Sequence, residues 1–491
     1  MIGVEGKHMK QKSLKLNVIM NMILTMSSFI FPLITFPYVS RILLPEGTGK
    51  VSFATSLISY FSMFAQLGIP TYGIRACAKV RDNREELTRT AQELLFINLA
   101  MSVFSYVVLF LAIAFVPRLQ SEKTLYVIVS FTIILTSIGM EWLYKALEQY
   151  TYITIRSVIF KFVAFIAMFL LIHEKFDYVI YGGISILAGS ASNIFNLMNV
   201  HKFIDLKPVG GYNFKQHIKP ILTFFAMACA TTIYTNLDTV MLGFMKTDAD
   251  VGYYNAAVKI KNILVSIVTS LGAVLLPRAS YYVENGLMDE FRRITKKAFS
   301  FVFLIASPLM LYFMFYAKEG IFFLSGSAYA GSILPMQIIM PTLLLIGISN
   351  LLGIQVLVPL GKEKILLYAE ITGAIIDLLI NCLLIPRFAS AGAAIGTLVA
   401  ELVVTSVCIW ALKDDVAETL KQIHYGRITF ALILGTVASL WVKMLGLGSF
   451  LTLVISALLF FGVYGVYLLI RKEEMIVEIW NMVVGKLVKK K

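Results

Sequence analysis

Apolar segments of about twenty residues or more alternate with short polar segments along the whole chain. As helices, segments of this length cross the ~30 Å hydrocarbon core of a bilayer. The first, Leu16 to Ser40, holds no charged residue. It is too long for the apolar core of a signal peptide, and no small-residue cleavage site follows it, so we expect a retained helix. The pattern predicts about fourteen membrane helices, at residues 16–40, 51–74, 91–116, 124–146, 152–172, 178–200, 218–245, 252–277, 298–316, 331–358, 365–385, 391–411, 428–445 and 450–470.

The composition of the chain fits this pattern. Of its 491 residues, 58% are hydrophobic and 15% are charged, and the mean hydropathy is +0.80. A soluble chain carries about 25% charged residues. The four cysteines, Cys77, Cys229, Cys382 and Cys408, are scattered and form no CxxC pair, so we expect packing roles for them. The sequence therefore predicts an all-α polytopic membrane protein.

The net charge of +14 reports membrane topology rather than a nucleic-acid partner. With the N-terminus placed inside, about thirty of the 43 Lys and Arg residues fall in cytoplasmic segments and about nine fall outside. An excess of basic residues in cytoplasmic loops is the positive-inside rule. We therefore expect no nucleic-acid binding, a plasma-membrane location, and N- and C-termini that both face the cytoplasm.

The chain resembles itself at a separation of about 200 residues. Residues 139–172 parallel residues 353–385, and residues 35–54 parallel residues 235–257. An even number of helices in each repeat gives both halves the same topology. This predicts two six-helix lobes around a central cavity, followed by two additional helices. The expected division is 1–215 for the N-terminal lobe, 216–412 for the C-terminal lobe, and 413–491 for the additional helices with a basic amphipathic tail.

Three ionisable residues lie inside predicted membrane helices whichever way the helix ends are drawn. Asp377 is near the midpoint of the window between Lys364 and Arg387, and Glu401 is equally enclosed. Lys161 lies in the middle of RSVIFKFVAFIAMF, a segment that has no spare length to leave it out. A charge at the centre of a membrane helix costs about 2.5–3.5 kcal/mol on insertion scales. Each of these residues therefore needs an explanation.

Further polar side chains align with these charges on predicted helix faces. Glu370 lies seven residues before Asp377, and Asn381 lies four residues after it, so the three share a face. Asp238 forms a second polar stripe with Thr231 and Thr235.

The repeat places opposite charges in equivalent helices. The segment 152–172 carries Arg156 and Lys161, whereas its counterpart carries Glu370 and Asp377. Lys259 and Lys261 either lie in the membrane or extend outward to the interface, because the uncharged segment after them is slightly short.

Two interpretations of the interior charges stay open. In the first, the charges pair with each other and only fasten the helices together. In the second, they line a hydrated cavity, with cations for an anionic substrate and carboxylates for a coupling proton or sodium ion. The proposed cationic set is Arg41, Arg75, Arg156, Lys161, Lys259 and Lys261, and the proposed ion-coupling set is Asp238, Glu370, Asp377 and Glu401.

Several classes of chemistry have no motif in the chain. None of the five histidines pairs with Cys, Asp or Glu at metal-ligand spacing, and there is no P-loop, so we expect no metal site, no cofactor and no ATP hydrolysis. A membrane glycan polymerase or ligase would need a sizeable outer loop with acid and base residues, and every loop is short. We therefore expect that the protein is not an enzyme.

The tail RKEEMIVEIWNMVVGKLVKKK has the pattern of an amphipathic helix on an anionic cytoplasmic leaflet. Its apolar residues recur at helical spacing, and lysines cluster at its end. A partner-binding or frayed tail is the alternative. The apolar positions are Ile476, Ile479, Trp480, Val483 and Leu487.

Longer motifs resemble a known family. The opening FPLITFPYVSRILLPEGTGKVSFATSLISYFSMFAQLGIPTYGIRACAKVRDNREEL is similar to that of polysaccharide repeat-unit transporters of the Wzx type. These belong to the multidrug/oligosaccharidyl-lipid/polysaccharide exporter superfamily. GMEWLYKALEQYTYITIRS and NLDTVMLGFMKTDADVGYYNAA also resemble that family, and the fourteen-helix plan covers the chain.

The resemblance implies a flippase. Such proteins move an undecaprenyl-pyrophosphate-linked oligosaccharide from the inner to the outer leaflet of the bacterial plasma membrane for capsule, O-antigen or exopolysaccharide assembly. It also implies a cationic central cavity, alternating access, coupling to H⁺ or Na⁺ in some members, and a polysaccharide polymerase machinery as a further partner. Arg41 and Arg75 occupy the motif arginines, with snorkelling at the membrane interface as the favoured alternative for both. A drug or cation antiporter of the same superfamily is the competing function, since the acidic residues suit cationic substrates.

Overall fold

A computed structural model describes residues 14–270, 272–413, 421–478 and 480–481. Every regular element within these ranges is helical, which confirms the predicted all-α class. The helices are α1 (Leu14–Gln66), α2 (Ile69–Lys79), α3 (Arg84–Phe115), α4 (Pro117–Gln120), α5 (Lys123–Gly139), α6 (Glu141–Ala146), α7 (Tyr150–Leu171), α8 (Tyr178–Ile186), α9 (Asn193–Asn199), α10 (Lys215–Met245), α11 (Asp248–Thr269), α12 (Gly272–Glu284), α13 (Met288–Phe315), α14 (Ala317–Ser325), α15 (Ile333–Ile339), α16 (Thr342–Asn350), α17 (Glu363–Ala411), α18 (Tyr425–Leu440) and α19 (Ser449–Ile470).

Two long helices extend over more than one predicted membrane segment: α17 contains two, and α1 contains the first and most of the second. In α1 the backbone breaks at Leu44, with φ 59° and ψ 176°. In α17 it breaks at Ala389, with φ 47° and ψ −125°. Positive φ is unfavourable for residues with a Cβ, so each break marks a place where the chain must change direction. The predicted turns between segments therefore exist as sharp breaks within helical runs.

The helix predicted at 124–146 is shorter than expected. Met140 adopts a left-handed conformation with φ 43°, which ends α5 at Gly139, and the short α6 follows. Glu148 is also left-handed, with φ 55°, just before α7 begins at Tyr150. In the parallel repeat, Gly361 has φ 69° shortly before α17 begins at Glu363. Both copies of the repeat thus use a left-handed residue to start the next long helix.

Within the described residues, the predicted membrane segments fall mostly on helical structure, while the segment predicted at 252–277 is divided between α11 and α12, neither of which is long and apolar enough to cross a membrane. Among the described residues, nine helices are long and apolar enough to cross a membrane, and the bent pair Ser327–Ile339 and Thr342–Leu357 makes a tenth. Two of the nine are the double segments Ile19–Lys79 and Glu363–Ala411, and Lys123–Gly139 is a shorter apolar helix. The chain is therefore a multi-pass membrane protein.

The folded chain separates into two compact units. The first comprises residues up to Leu43 together with Lys50–Asn236, and the second comprises Leu44–Gly49 and residues from Leu237 onward. In the first unit, Trp142 of α6 packs across the face of Gly73 in α2, where a Cβ would lie 2.8 Å from the ring. In the second, Tyr312 and Phe460 form a core between α13 and α19. The three-part division of the chain stays a prediction.

Short loops are capped by local hydrogen bonds. In the turn before α8, the Asp177 carboxylate accepts the backbone N–H groups of His173 and Glu174, both at 2.8 Å. These bonds favour the charged form and lower the pKa of Asp177.

In the predicted amphipathic tail, residues 474–478 are helical and Trp480 is exposed, while Ile479, Val483 and Leu487 lie outside the described residues.

Candidate functional site

The first charged cluster forms around Arg156 on α7. Its guanidinium is buried and donates to the Ser192 carbonyl oxygen at 2.8 Å and to Asn193 Oδ1 at 2.9 Å. It also forms an ion pair with Glu141 at 3.3 Å. A planar guanidinium can satisfy several acceptors at once, which suits a buried position of this kind. Arg156 is therefore firmly held by neutral and charged partners together.

A glycine allows this arrangement. Gly139 ends α5 where α9 crosses it, and a Cβ added there would lie 2.5 Å from the Asn193 Cβ. Asn196 also links α9 to the end of α5, because its side chain donates to the Gly139 carbonyl oxygen at 2.7 Å. The absence of a side chain at Gly139 thus places Asn193 within reach of Arg156.

Lys161 lies at the midpoint of α7 and has neutral partners. Its ammonium donates to the hydroxyls of Ser27 and Ser28 on α1, each at 2.8 Å. Within the ranges that the structure covers, no carboxylate lies within ion-pair distance of Lys161; Glu141 acts on it only at longer range. Two hydroxyls can hold the ammonium in place, but they do not neutralise its charge.

The cluster as a whole carries excess positive charge. Glu141 is shared, because it also forms an ion pair with Lys145 at 2.8 Å. Three cations, Lys145, Arg156 and Lys161, are therefore grouped near a single carboxylate. Arg156 is buried, whereas the side chains of Lys145 and Glu141 are 34% and 33% exposed, so this partly open group of cations is suited to an additional anion.

The second charged cluster centres on Asp238 of α10, in the second unit. Asn381 of α17 donates to Asp238 Oδ1 at 2.6 Å, and Thr397 of the same helix donates to Oδ2 at 2.8 Å. The Tyr254 hydroxyl of α11 also donates to Oδ2. Asp238 is thus a buried acceptor for three neutral donors from two helices.

Asp377 completes the acidic cluster. It is only 2% exposed and contacts both Asp238 and Asn381. Its Oδ1 atom has no hydrogen-bond partner among the described residues. Glu401, also buried, lies within electrostatic range of Asp377. Lys261 of α11 interacts at longer range with all three carboxyl groups.

The structure brings some of the predicted residues together and not others. Arg156 and Lys161 form one group, and Asp238, Asp377, Glu401 and Lys261 form another. Glu370 was predicted on the face of Asp377 and Asn381; it is half-buried on α17 and makes none of these contacts. Lys259 is half-buried on α11, Arg41 is exposed and donates to the Pro37 carbonyl oxygen, and Arg75 is exposed on α2.

Sequence reasoning missed several partners in these clusters. Tyr254, Thr397, Ser27 and Ser28 are neutral residues in apolar helices, where they leave little trace in hydropathy. Glu141 lies near the end of the predicted helix 124–146, where a charged residue does not stand out in the sequence.

A third buried contact also escaped notice, because its residues are far apart in sequence. His217 Nε2 lies 2.6 Å from Glu93 Oε2, and Tyr72 lies 2.8 Å from His217 Nδ1. It fastens the first turn of α10 to α3 and α2. Of the residues described, no three His, Cys, Asp or Glu side chains are grouped to hold a metal ion.

A multi-pass helical protein with charged clusters buried in its membrane helices has the architecture of a membrane transporter. The chain belongs to the polysaccharide biosynthesis protein family, whose model matches residues 14–283. This confirms the resemblance found in the sequence.

Comparisons with individual proteins agree with this assignment. The "Putative O-antigen transporter" of Escherichia coli K12 is 26% identical over 408 residues, covering 82% of this chain and 97% of that protein. A structure of the lipid II flippase MurJ in an inward closed conformation matches with a TM-score of 0.72 at 14% identity, covering 94% of this chain and all of that one. An inward-facing multidrug resistance MATE family transporter of the MOP superfamily matches with a TM-score of 0.63 at 13% identity, covering 83% and 99%. These relatives are transporters and not enzymes, as expected from the sequence.

Proposed function

We propose that the protein is a flippase that moves an undecaprenyl-pyrophosphate-linked oligosaccharide from the inner to the outer leaflet of a bacterial plasma membrane by alternating access. The observation that carries this proposal is the excess positive charge around Arg156 and Lys161. The names of its relatives, an O-antigen transporter and a lipid II flippase, support the same substrate class.

The chemistry of the substrate explains why buried cations are useful. A pyrophosphate is multiply charged and cannot cross hydrocarbon unaided, whereas its lipid tail can remain in the bilayer. A flippase therefore needs to shelter only the headgroup. Charge-assisted hydrogen bonds from Lys and Arg replace the hydration that the pyrophosphate loses. In this assignment Lys161 exchanges its two serine hydroxyls for phosphate oxygens, while Arg156 stays anchored by Asn193 and Ser192.

Replacement of Lys161 tests the proposal directly. We expect Lys161→Ala to abolish surface polysaccharide in cells that depend on this protein, because the headgroup loses a mid-membrane cation. Lys161→Arg should retain part of the activity, since it keeps the charge. Lys175→Ala, which removes an exposed lysine in the loop after α7, is the matched control. Normal polysaccharide levels in Lys161→Ala cells with normally inserted protein would contradict the proposal.

We further propose that the acidic cluster binds the coupling ion, either H⁺ or Na⁺. Asp238 and Asp377 are two carboxyl groups in contact within a buried site, and close carboxylates do not both remain charged without a proton or cation. We expect Asp377→Asn to slow transport and to weaken its dependence on an ion gradient, measured in proteoliposomes. Glu363→Gln at the exposed start of α17 is the control. Gradient dependence that is unchanged in Asp377→Asn would remove Asp377 from this role.

The same acidic cluster favours a second candidate, a drug or cation antiporter. A cationic substrate would use Asp238 and Asp377 as its counter-ions, and the cationic cluster would then be structural. Efflux of a cationic dye separates the two functions. Efflux that depends on Asp377 but not on Lys161, together with normal polysaccharide in both variants, would favour the antiporter.

A further inference from the structure

The first unit contains a cavity that none of the proposed charged residues lines. Its volume is about 270 Å³, and it lies between the second half of α1, the start of α2, α5 and α10. This volume is slightly below the range of about 300–1,000 Å³ for small-molecule pockets, so the cavity suits a small group rather than a whole oligosaccharide. Thr55 and Thr71, at its edge, are exposed, which leaves the cavity open to an entering group.

The cavity wall is polar without being charged. Thr55, Ser59, Ser62 and Gln66 of α1 all face it, and their spacing of i, i+4, i+7 and i+11 forms one stripe along the helix. Thr132 of α5 and Thr232 of α10 add hydroxyls from the other sides. None of the described residues that line the cavity is ionisable. The cavity wall is therefore neutral, whereas the two clusters described above are charged.

The hydrogen bonds already made in the wall determine what it offers a ligand. The Thr55 hydroxyl donates to the Val51 carbonyl oxygen at 2.8 Å, and the Ser59 hydroxyl donates to the Thr55 carbonyl oxygen at 2.9 Å. Gln66 Nε2 donates to the Ser62 hydroxyl at 2.9 Å. The Thr55 and Ser59 protons are therefore engaged within the helix, which leaves their oxygen lone pairs as acceptors, whereas the Ser62 hydroxyl and the second Gln66 amide proton remain as donors. This neutral wall offers a phosphate group no counter-charge, and it can both accept hydrogen bonds from hydroxyl groups and donate to them.

The remaining wall is apolar. Ile58, Met63 and Val129 complete the lining. A pocket that combines an apolar wall with a few directed polar groups matches a sugar ring, which has a C–H face and a rim of hydroxyl donors.

We propose that this pocket is a subsite for an uncharged sugar ring, bound through hydrogen bonds between the ring hydroxyls and the hydroxyl and amide groups of α1, α5 and α10. The inference rests on the proposed flippase function, in which the cationic cluster takes the pyrophosphate. It assigns the two parts of one headgroup to chemically different surfaces. Sugar recognition then depends on neutral side chains, and binding of the lipid-linked pyrophosphate does not.

Binding of defined lipids to the purified full chain tests the subsite. The probes are undecaprenyl pyrophosphate and the same lipid bearing one N-acetylglucosamine, glucose or galactose. We expect the wild-type protein to bind at least one sugar-bearing lipid about tenfold more tightly than the bare lipid, as a few added hydrogen bonds would produce. The double variant Ser59→Ala/Thr132→Val should lose most of this ratio and keep its affinity for the bare lipid.

A matched double variant controls for effects on the helices themselves. Ser56→Ala/Thr136→Val removes hydroxyls from the same two helices outside the cavity lining and should keep the wild-type ratio. If Ser59→Ala/Thr132→Val also keeps the wild-type ratio, or loses affinity for all lipids equally, the sugar subsite is wrong and the flippase proposal stands. If the wild-type protein binds all four lipids equally, the subsite is likewise wrong. If it binds none of them, the proposed function fails, and the subsite fails with it.

Discussion

In each charged cluster, one glycine leaves the space that lets a polar side chain pack against the helix backbone. Gly139 admits Asn193 beside Arg156, and Gly396 admits the side chains of Asn381 and Asp377. At Gly396, an added Cβ would lie 2.3 Å from Asn381 Oδ1 and 2.9 Å from Asp377 Oδ1. Neither glycine has the positive φ that would explain it as a turn residue. Space for a polar neighbour is therefore the reason for a glycine at each position.

Replacement of Gly396 tests whether the acidic cluster depends on this space. We expect Gly396→Ala to separate Asn381 and Asp377, to slow transport, and to lower the melting temperature in detergent, since overpacking typically costs about 1–3 kcal/mol. Gly462→Ala on α19 is the control, because nothing lies within 4 Å of its added Cβ. Wild-type transport by Gly396→Ala would show that the cluster tolerates a shift at this point.

At the scale of elements, the two longest helices, α1 and α17, each break at a single residue with positive φ. Leu44 in α1 and Ala389 in α17 have φ values of 59° and 47°, and both are residues with a Cβ. Their ψ values of 176° and −125° lie outside the left-handed helical region, and a sparsely populated conformation of this kind costs of order 1–3 kcal/mol. The surrounding packing must supply this energy. In α17 the break separates the stretch that carries Asp377 and Asn381 from the stretch that carries Thr397, so both can reach Asp238.

Glycine substitution tests the break in α17. We expect Ala389→Gly to be neutral or to raise the melting temperature, because glycine adopts positive φ without a steric penalty. Ala391→Gly, two residues later in regular helix, should lower it, since glycine costs about 1 kcal/mol in a helix interior. Thermal unfolding of the two purified variants in the same detergent measures the difference. A larger loss for Ala389→Gly than for Ala391→Gly would contradict the role given to the break.

At the scale of the whole molecule, the distribution of basic residues predicts the orientation in the membrane. The net charge is +14, and most of the lysines and arginines fall in the segments expected in the cytoplasm. The segment between α9 and α10 is one of these. Arg84 on α3 holds it through an ion pair with Asp205 at 2.8 Å. Lys175, in the loop between α7 and α8, is expected on the outside.

Labelling of single cysteines in intact cells tests this orientation. Both Lys175 and Lys207 are exposed. In a background without Cys77, Cys229, Cys382 and Cys408, we expect a membrane-impermeant maleimide to label Lys175→Cys but not Lys207→Cys. Permeabilised cells should show labelling of both variants. The reverse pattern in intact cells would invert the topology and place both termini outside.

The sequence by itself determined the class of protein and the apolar helices on which its interior charges lie. Apolar segments of membrane-spanning length can be counted from local composition, and charges that no helix boundary can exclude must lie inside the membrane. The lengths of the apolar segments that contain Lys161, Asp377 and Glu401 were enough to predict these three residues as interior charges. The resemblance of the opening motif also indicated the family that the comparisons confirm.

Only the tertiary structure decided which charges meet. Asp238 and Asn381 are 143 residues apart, and His217 and Glu93 are 124 apart. Such contacts depend on how distant helices pack, whereas helical periodicity relates only residues on one helix. Glu370 shows this limit, because it shares the predicted face of Asp377 but takes no part in its contacts. The partners of Lys161 are serines, whose small hydroxyls hardly change the hydropathy of a helix, so only their placement in space identifies them.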